Sequence, residues 1–117
     1  MTDGFLGRFN LEDEIKRFHP GDTASGRRAE TLIKTDGLRV VLVTMREGVT
    51  LHEHIAPGPI TIHALNGRFS VTFEDQAREL GPGELLSLAP GVLHAVETLA
   101  EGAFLLTIGW GPSAPTT

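Results

Sequence analysis

The tract Gly81-Pro82-Gly83-Glu84-Leu85-Leu86-Ser87-Leu88-Ala89-Pro90-Gly91-Val92-Leu93-His94-Ala95-Val96-Glu97 sets two tight turns around one short apolar run. Glycine reaches positive φ without steric penalty, and proline fixes φ near about −65° and donates no hydrogen bond, so both triplets read as turns. The run Leu85-Leu86-Ser87-Leu88 between them is too short for a helix and has the length of a strand. The chain therefore reverses twice in quick succession and delivers His94 at the start of a further extended segment.

Working outward, the same punctuation recurs. Phe69, Val71 and Phe73 alternate with Arg68, Ser70, Thr72 and Glu74, the pattern of a half-buried strand. Glu74-Asp75-Gln76 turns it back into residues 77–80. Residues 60–65 form another strand, and Asn66-Gly67 after it is a hairpin signal. Ala56-Pro57-Gly58-Pro59 is a stiff loop that excludes a regular ladder. Residues 30–35 and 38–45 flank Asp36-Gly37, a two-residue hairpin turn. The second of these strands is apolar on both faces for much of its length, as expected of a strand covered on two sides or shared between a core and a subunit interface. Glu47-Gly48 turns into residues 49–54. Downstream, residues 95–98 are extended, 100–102 turn, and in 103–110 Phe104, Leu106, Ile108 and Trp110 share one face. About nine short strands at this spacing predict an all-β antiparallel sandwich or barrel. Such a barrel can hold a small ligand among inward side chains.

The N-terminal part differs. Residues 1–9 read as a loose arm. Asn10 then precedes Leu11, Ile15 and Phe18 at helical spacing, with Glu12, Asp13 and Glu14 in the first turn and Lys16 and Arg17 in the last. That order suits the helix dipole, and Asn10 is the candidate cap of a short helix. His19-Pro20-Gly21 ends the helix, which makes His19 a surface loop residue.

At 117 residues the chain is expected to form one domain: an arm with a short helix over 1–30, a barrel over 31–110 and a disordered tail over 111–117. Its 40% hydrophobic and 21% charged residues are those of a soluble globular protein. The formal charge of −5 disfavours a nucleic-acid or anionic-membrane partner. There is no cysteine, hence no disulfide framework and no thiol chemistry. Residues 1–9 lack the apolar core of a secretory signal, and no apolar run approaches the roughly 20 residues that span a bilayer. A cytoplasmic protein is the expectation. No Ser-His-Asp order, glycine-rich phosphate loop or candidate covalent nucleophile is present.

The chemistry concentrates in histidine. In Leu51-His52-Glu53-His54 the two histidines are two residues apart, and in an extended strand such residues face the same side. With His94 they form the two walls of one expected metal pocket. A neutral imidazole offers a nitrogen lone pair suited to Zn, Cu, Fe or Ni. Polar groups in a vestigial cavity are the alternative reading.

Gly48, His52-Glu53-His54 and Gly67 resemble the first motif of the cupin family, and Gly83, Ala89-Pro90-Gly91 and His94 resemble its second. The resemblance covers residues 31–108, and the tract quoted at the outset is its most specific part. It implies a double-stranded β-helix, or jelly roll, commonly dimeric, that binds a divalent transition metal (Fe, Mn, Ni, Cu or Zn) inside the barrel. His52, His54 and His94 match the family's three histidine positions. The family's glutamate does not match. Its slot falls at Ile60, and no acid lies between Ile55 and Phe73. Ala89 stands where the pattern has a proline, and Thr98 where an asparagine often follows.

Three neutral histidines leave the divalent charge uncompensated and more positions open, which favours a substrate that chelates as an anion. Family members with three-histidine iron sites imply an oxygenase-type reaction, of the quercetin-dioxygenase-like kind, on a small organic molecule. The alternative is a non-catalytic small-molecule-binding or sensory module; sugar isomerisation fits an apolar wall least. His63 is the candidate substitute ligand. Alternation puts it opposite Ile60, so it joins the metal only if a bulge re-aims it; otherwise it belongs to the surface or a dimer interface. Ile60, Ile62, Met45, Phe73, Phe104 and Trp110 are the expected pocket lining. Glu53 and Glu97 read as surface residues, as do Arg39, Arg46 and Arg68.

Overall fold

The computed structural model describes residues 4–21 and 23–109. Within them the chain runs through α1 (Leu11–Arg17), β1 (Arg27–Thr35), β2 (Leu38–Met45), β3 (Thr50–His54), β4 (Ile60–Phe73), β5 (Gln76–Leu80), β6 (Leu85–Leu88) and β7 (His94–Gly109). The long strands β4 and β7 pair antiparallel along most of their length and organise the rest. The second half of β7 lies between β2 and the first half of β4, whose other edge carries β6. The first half of β7 lies between β3 and the second half of β4, whose other edge carries β5. Two four- to five-stranded layers therefore share two strands that bend from one layer into the other. This is a double-stranded β-helix, the expected all-β jelly roll with its short N-terminal helix.

The bend replaces two turns expected from sequence. Asn66-Gly67 does not reverse the chain, and neither does the segment 100–102; both lie inside continuous strands, at a run of register shifts between Ala64 and Phe69. Gly67 has φ +76°, and a Cβ there would stand 2.6 Å from the carbonyl oxygens of both Ala100 and Glu101. A Cβ at Gly102 would run into the Asn66 carbonyl. Asn66 Oδ1 accepts a hydrogen bond from the Ala103 amide at 2.7 Å, standing in for a displaced ladder partner. The glycine thus serves close backbone approach at a bulge. Seven strands result, among the described residues, instead of about nine.

The remaining turns follow the sequence. Thr35 pairs with Leu38 across Asp36-Gly37, and Phe73 pairs with Gln76 across Glu74-Asp75. Glu74 and Asp75 both have positive φ, as a tight two-residue hairpin requires. In α1, Asn10 Oδ1 accepts from the Asp13 amide at 3.0 Å, which confirms the cap. The helix buries no residue fully; Thr44 Oγ1 donates to the Phe18 carbonyl at 2.7 Å and ties the segment after it to β2.

Inside, Val41, Val43, Met45, Ile60, Ile62, Ala64, Phe69, Val71, Val96 and Phe104 form one core cluster. Phe69 and Phe104 meet edge to face at 5.1 Å between ring centroids. Leu42 and Thr44 are buried on the opposite face of β2, as its two-sided apolar pattern predicts. No helix among the described residues is long and apolar enough to cross a membrane.

Candidate functional site

The register of β3 against β7 decides which histidines meet. Leu51 pairs with Val96 and His54 with His94, so His52 and Glu53 together stand opposite Ala95. This is a β-bulge, and it breaks the two-residue alternation. Leu51 packs against the core, His54 returns to that same inner face, and His52 and Glu53 are both exposed. The shared face expected for His52 and His54 is therefore absent in this register.

His54 and His94 sit side by side, with ring centroids 4.2 Å apart and planes inclined by 60°. His94 is 2% exposed and has Phe73 opposite it on β4. Its Nδ1 lies 3.0 Å from the Val92 carbonyl oxygen, and His54 Nδ1 lies 3.0 Å from that of His52. A carbonyl oxygen only accepts, so each Nδ1 carries the proton and donates. An imidazole that holds its single proton on Nδ1 leaves its lone pair on Nε2, the arrangement found in metal-ligating imidazoles. Burial pushes the His94 pKa below its ordinary 6.5; the Val92 hydrogen bond opposes that shift and the neighbouring His54 adds to it. His94 is therefore neutral at pH 7 and keeps its lone pair.

His63 lies elsewhere. It sits between the buried Ile62 and Ala64 and pairs with Leu105 and Leu85. The register from Ile60 to Ala64 is unbroken, so no bulge re-aims it, and with Ile60 inside it faces away from the other histidines. His19 is in the exposed loop after α1, where Nδ1 accepts from the Gly21 amide and Nε2 lies 3.2 Å from Glu101. Arg68 is engaged by Glu79 at 2.9 Å, and Arg46 reaches the Gly21 carbonyl.

Of the expected pocket lining, Met45, Ile60, Ile62 and Phe104 are 2% exposed or less and fill the packed core. Phe73 lines an open recess of about 660 Å³, together with Val92, Leu93, Glu74, Asp75 and Glu53. Trp110 and the tail 111–117 fall outside the described residues. Sequence reasoning treated Glu74 and Asp75 as turn residues and gave no role to the carbonyls of Val92 and His52. Backbone groups carry no residue signature, and only the fold reveals them.

A metal ion is the group this fold suggests, and the donors fit it in part. Two imidazoles present lone pairs close together, but no group of three or more His, Cys, Asp or Glu side chains among the described residues is placed to hold one ion. Ile60, in the glutamate slot, is core.

A double-stranded β-helix with imidazoles on the inner face near one end of the barrel defines the class of fold. Solved structures specify it further. A cupin superfamily protein from Desulfitobacterium hafniense DCB-2 superposes with a TM-score of 0.70 at 21% identity, covering 73% of this chain and 78% of that one. An RmlC-like cupin from Shewanella frigidimarina gives 0.70 at 18% identity, with coverages of 79% and 83%. An HTH_3 family transcriptional regulator from Vibrio cholerae gives 0.67 at 20% identity, covering 74% of this chain and 52% of its own. The chain has the cupin fold. No protein-family model matches it, and no curated protein sequence does.

Proposed function

We propose that this protein is a small metal-binding cupin that acts on a chelating organic molecule in an oxygenase-type reaction. The observation that supports this reading is the His54–His94 pair, with each Nδ1 donating to a backbone carbonyl, which leaves Nε2 as the nitrogen able to ligate. His54 and His94 would supply two ligands, while His52, turned to the outer face by the bulge, is not placed beside them. When bound, a divalent ion would polarise a chelating, deprotonated substrate as a Lewis acid. The chain's own contribution is orientation. The Val92 and His52 carbonyls hold the rings, and Phe73, paired with His94, and Val92 also line the open recess, which neither histidine lines. Glu53, Glu74 and Asp75 on the rim disfavour a substrate with a second negative charge at its far end. A homodimer belongs to the same proposal. The half-buried Val40 and Leu105 and the exposed Leu85 lie on the outer sheet face, where a second copy would pack.

The test is calorimetric titration with Fe(II), Mn(II), Ni(II), Cu(II) and Zn(II), followed by oxygen uptake with flavonols, diketones and thiols on the Fe(II) protein. Binding of one equivalent that His54→Ala or His94→Ala abolishes is expected, with uptake above that of the His94→Ala control. Absence of stoichiometric binding removes the metal reading. A second reading, a non-catalytic binding or sensory module, is favoured because, among the described residues, no carboxylate joins the pair in a three-ligand group. It predicts substrate binding with no oxygen uptake above the control.

A further inference from the structure

Asn66-Gly67 reads as a turn in the sequence and lies inside β4 in the fold. It is also a residue pair at which a polypeptide readily attacks its own side chain, because asparagine is chemically labile and glycine leaves the following backbone nitrogen unshielded. When that nitrogen loses its proton and bonds to the asparagine Cγ, the Cγ–Nδ2 bond breaks. Ammonia leaves with the proton, and a five-membered imide closes. Water then opens the ring at one of its two carbonyls. Breaking the bond to Cγ gives aspartate. Breaking the bond to the main-chain carbonyl gives isoaspartate, in which the backbone runs through the former side chain and is one methylene longer.

The bend creates this pair and also restrains it. Gly67 is required by its φ of +76° and by the Ala100 and Glu101 carbonyl oxygens 2.6 Å from its Cβ position. Asn66 is required because Oδ1 accepts from the Ala103 amide at 2.7 Å. Neither requirement concerns the reaction, yet together they write the labile sequence. The same contacts hold it still. Oδ1 is pinned across to β7, whereas ring closure needs Cγ to swing onto the Gly67 nitrogen, and the Gly67 backbone has no room to turn against β7. Asn66 also lines a recess of about 160 Å³ beside the loop after α1, with His19, Pro20 and Glu101, which gives water and ammonia a path once the pair is released. We propose that Asn66-Gly67 is a self-modification site held shut by the crossing of β4 and β7, at which opening of the bend changes the chain irreversibly. Where opening and closing are fast relative to the chemistry, the rate follows the open fraction. The aspartate product keeps an oxygen for the Ala103 amide and can close the bend again. The isoaspartate product adds a methylene to the main chain where even a Cβ does not fit, so for it the opening is one-way.

The experiment is incubation of the full chain, folded and unfolded in urea, at one mildly alkaline pH, with peptide mapping that separates asparagine, aspartate and isoaspartate at position 66. The unfolded chain is expected to convert to both products, and the folded chain at least roughly tenfold more slowly. Urea below the unfolding transition should raise the folded rate. Phe69→Ala, which loosens β4 beside the bend and leaves Asn66-Gly67 intact, should raise it by roughly tenfold or more. If that variant does not fold, the urea series on wild type makes the same comparison. When urea is removed from a converted sample, isoaspartate should collect in the fraction that fails to refold, while aspartate returns with the native protein. Equal rates in the folded and unfolded chain refute the protection, and an unfolded chain that does not convert refutes the site. A folded rate that responds to neither urea nor Phe69→Ala refutes the dependence on opening. Isoaspartate in refolded protein of unchanged thermal midpoint refutes the one-way step.

Discussion

Replacing Gly67 by alanine tests the bend that makes this chain a double-stranded β-helix. Sequence assigns Asn66-Gly67 to an exposed hairpin turn, whereas in the fold Gly67 presses against the backbone of β7. The substitution has two separable effects. Alanine at φ +76° occupies the left-handed region, which costs an L-residue about 1–2 kcal/mol. Its Cβ also meets the Ala100 and Glu101 carbonyl oxygens at 2.6 Å and the Gly102 Cα at 2.7 Å. These are backbone atoms on a paired strand and cannot swing aside, so overpacking adds about 1–3 kcal/mol. The sum, about 2–5 kcal/mol, corresponds to a fall in Tm of roughly 8–20 °C for a domain of this size. Gly83 provides the control. It has φ +86° but nothing within 4 Å of its Cβ position, so Gly83→Ala carries the conformational cost without the clash. Urea unfolding of both variants, compared at equal m-values, isolates the difference. If Gly67→Ala loses no more stability than Gly83→Ala, the close crossing of β4 and β7 does not exist and the bend is refuted.

Other expected outcomes follow from single sites. Because the folded pKa of His94 lies below the 6.5 of the unfolded chain, the unfolded state takes up the proton first as pH falls. Its contribution is fully present above pH 6.5 and is lost as pH drops below that value, so urea unfolding at pH 7.5 and 5.5 should show lower stability at 5.5, with the dependence reduced in His94→Gln. Phe69→Ala removes a fully buried ring and its edge-to-face contact with Phe104, and should cost about 3–5 kcal/mol in the same assay. Asn10→Ala removes the cap of α1 and should cost about 1 kcal/mol or less, since the helix buries no residue fully. His63→Ala should leave metal affinity unchanged by titration, because the ring lies on the other face of β4.

The local grammar of this chain was legible because it depends on near neighbours in sequence. Asp36-Gly37 closes a hairpin, Asn10 caps a helix with acids in its first turn, and Phe69, Val71 and Phe73 alternate inward, each for a reason contained within a few residues. The inward direction of Ile60, and with it the outward direction of His63, also follows from period two in an unbroken ladder. What failed to be legible depends on a partner strand. Asn66-Gly67 has the composition of a reversal, and only Ala100 to Gly102 crossing above it turns that composition into a bulge. The merging of shorter strands into β4 and β7 has the same origin.

The histidine site is where both kinds of reasoning meet. His-x-His says same face, and this holds as long as the ladder keeps its period. One surplus residue against Ala95 is enough to turn His52 away while leaving His54 on His94. Register in a half-buried strand is normally fixed by which side chains reach the core. Here Val49 and Leu51 both reach the core, and the surplus residue at His52-Glu53 returns His54 to the inner face beside His94. In such a strand the apolar anchors fix the register, and the place of the surplus residue decides which polar side chains face the barrel interior.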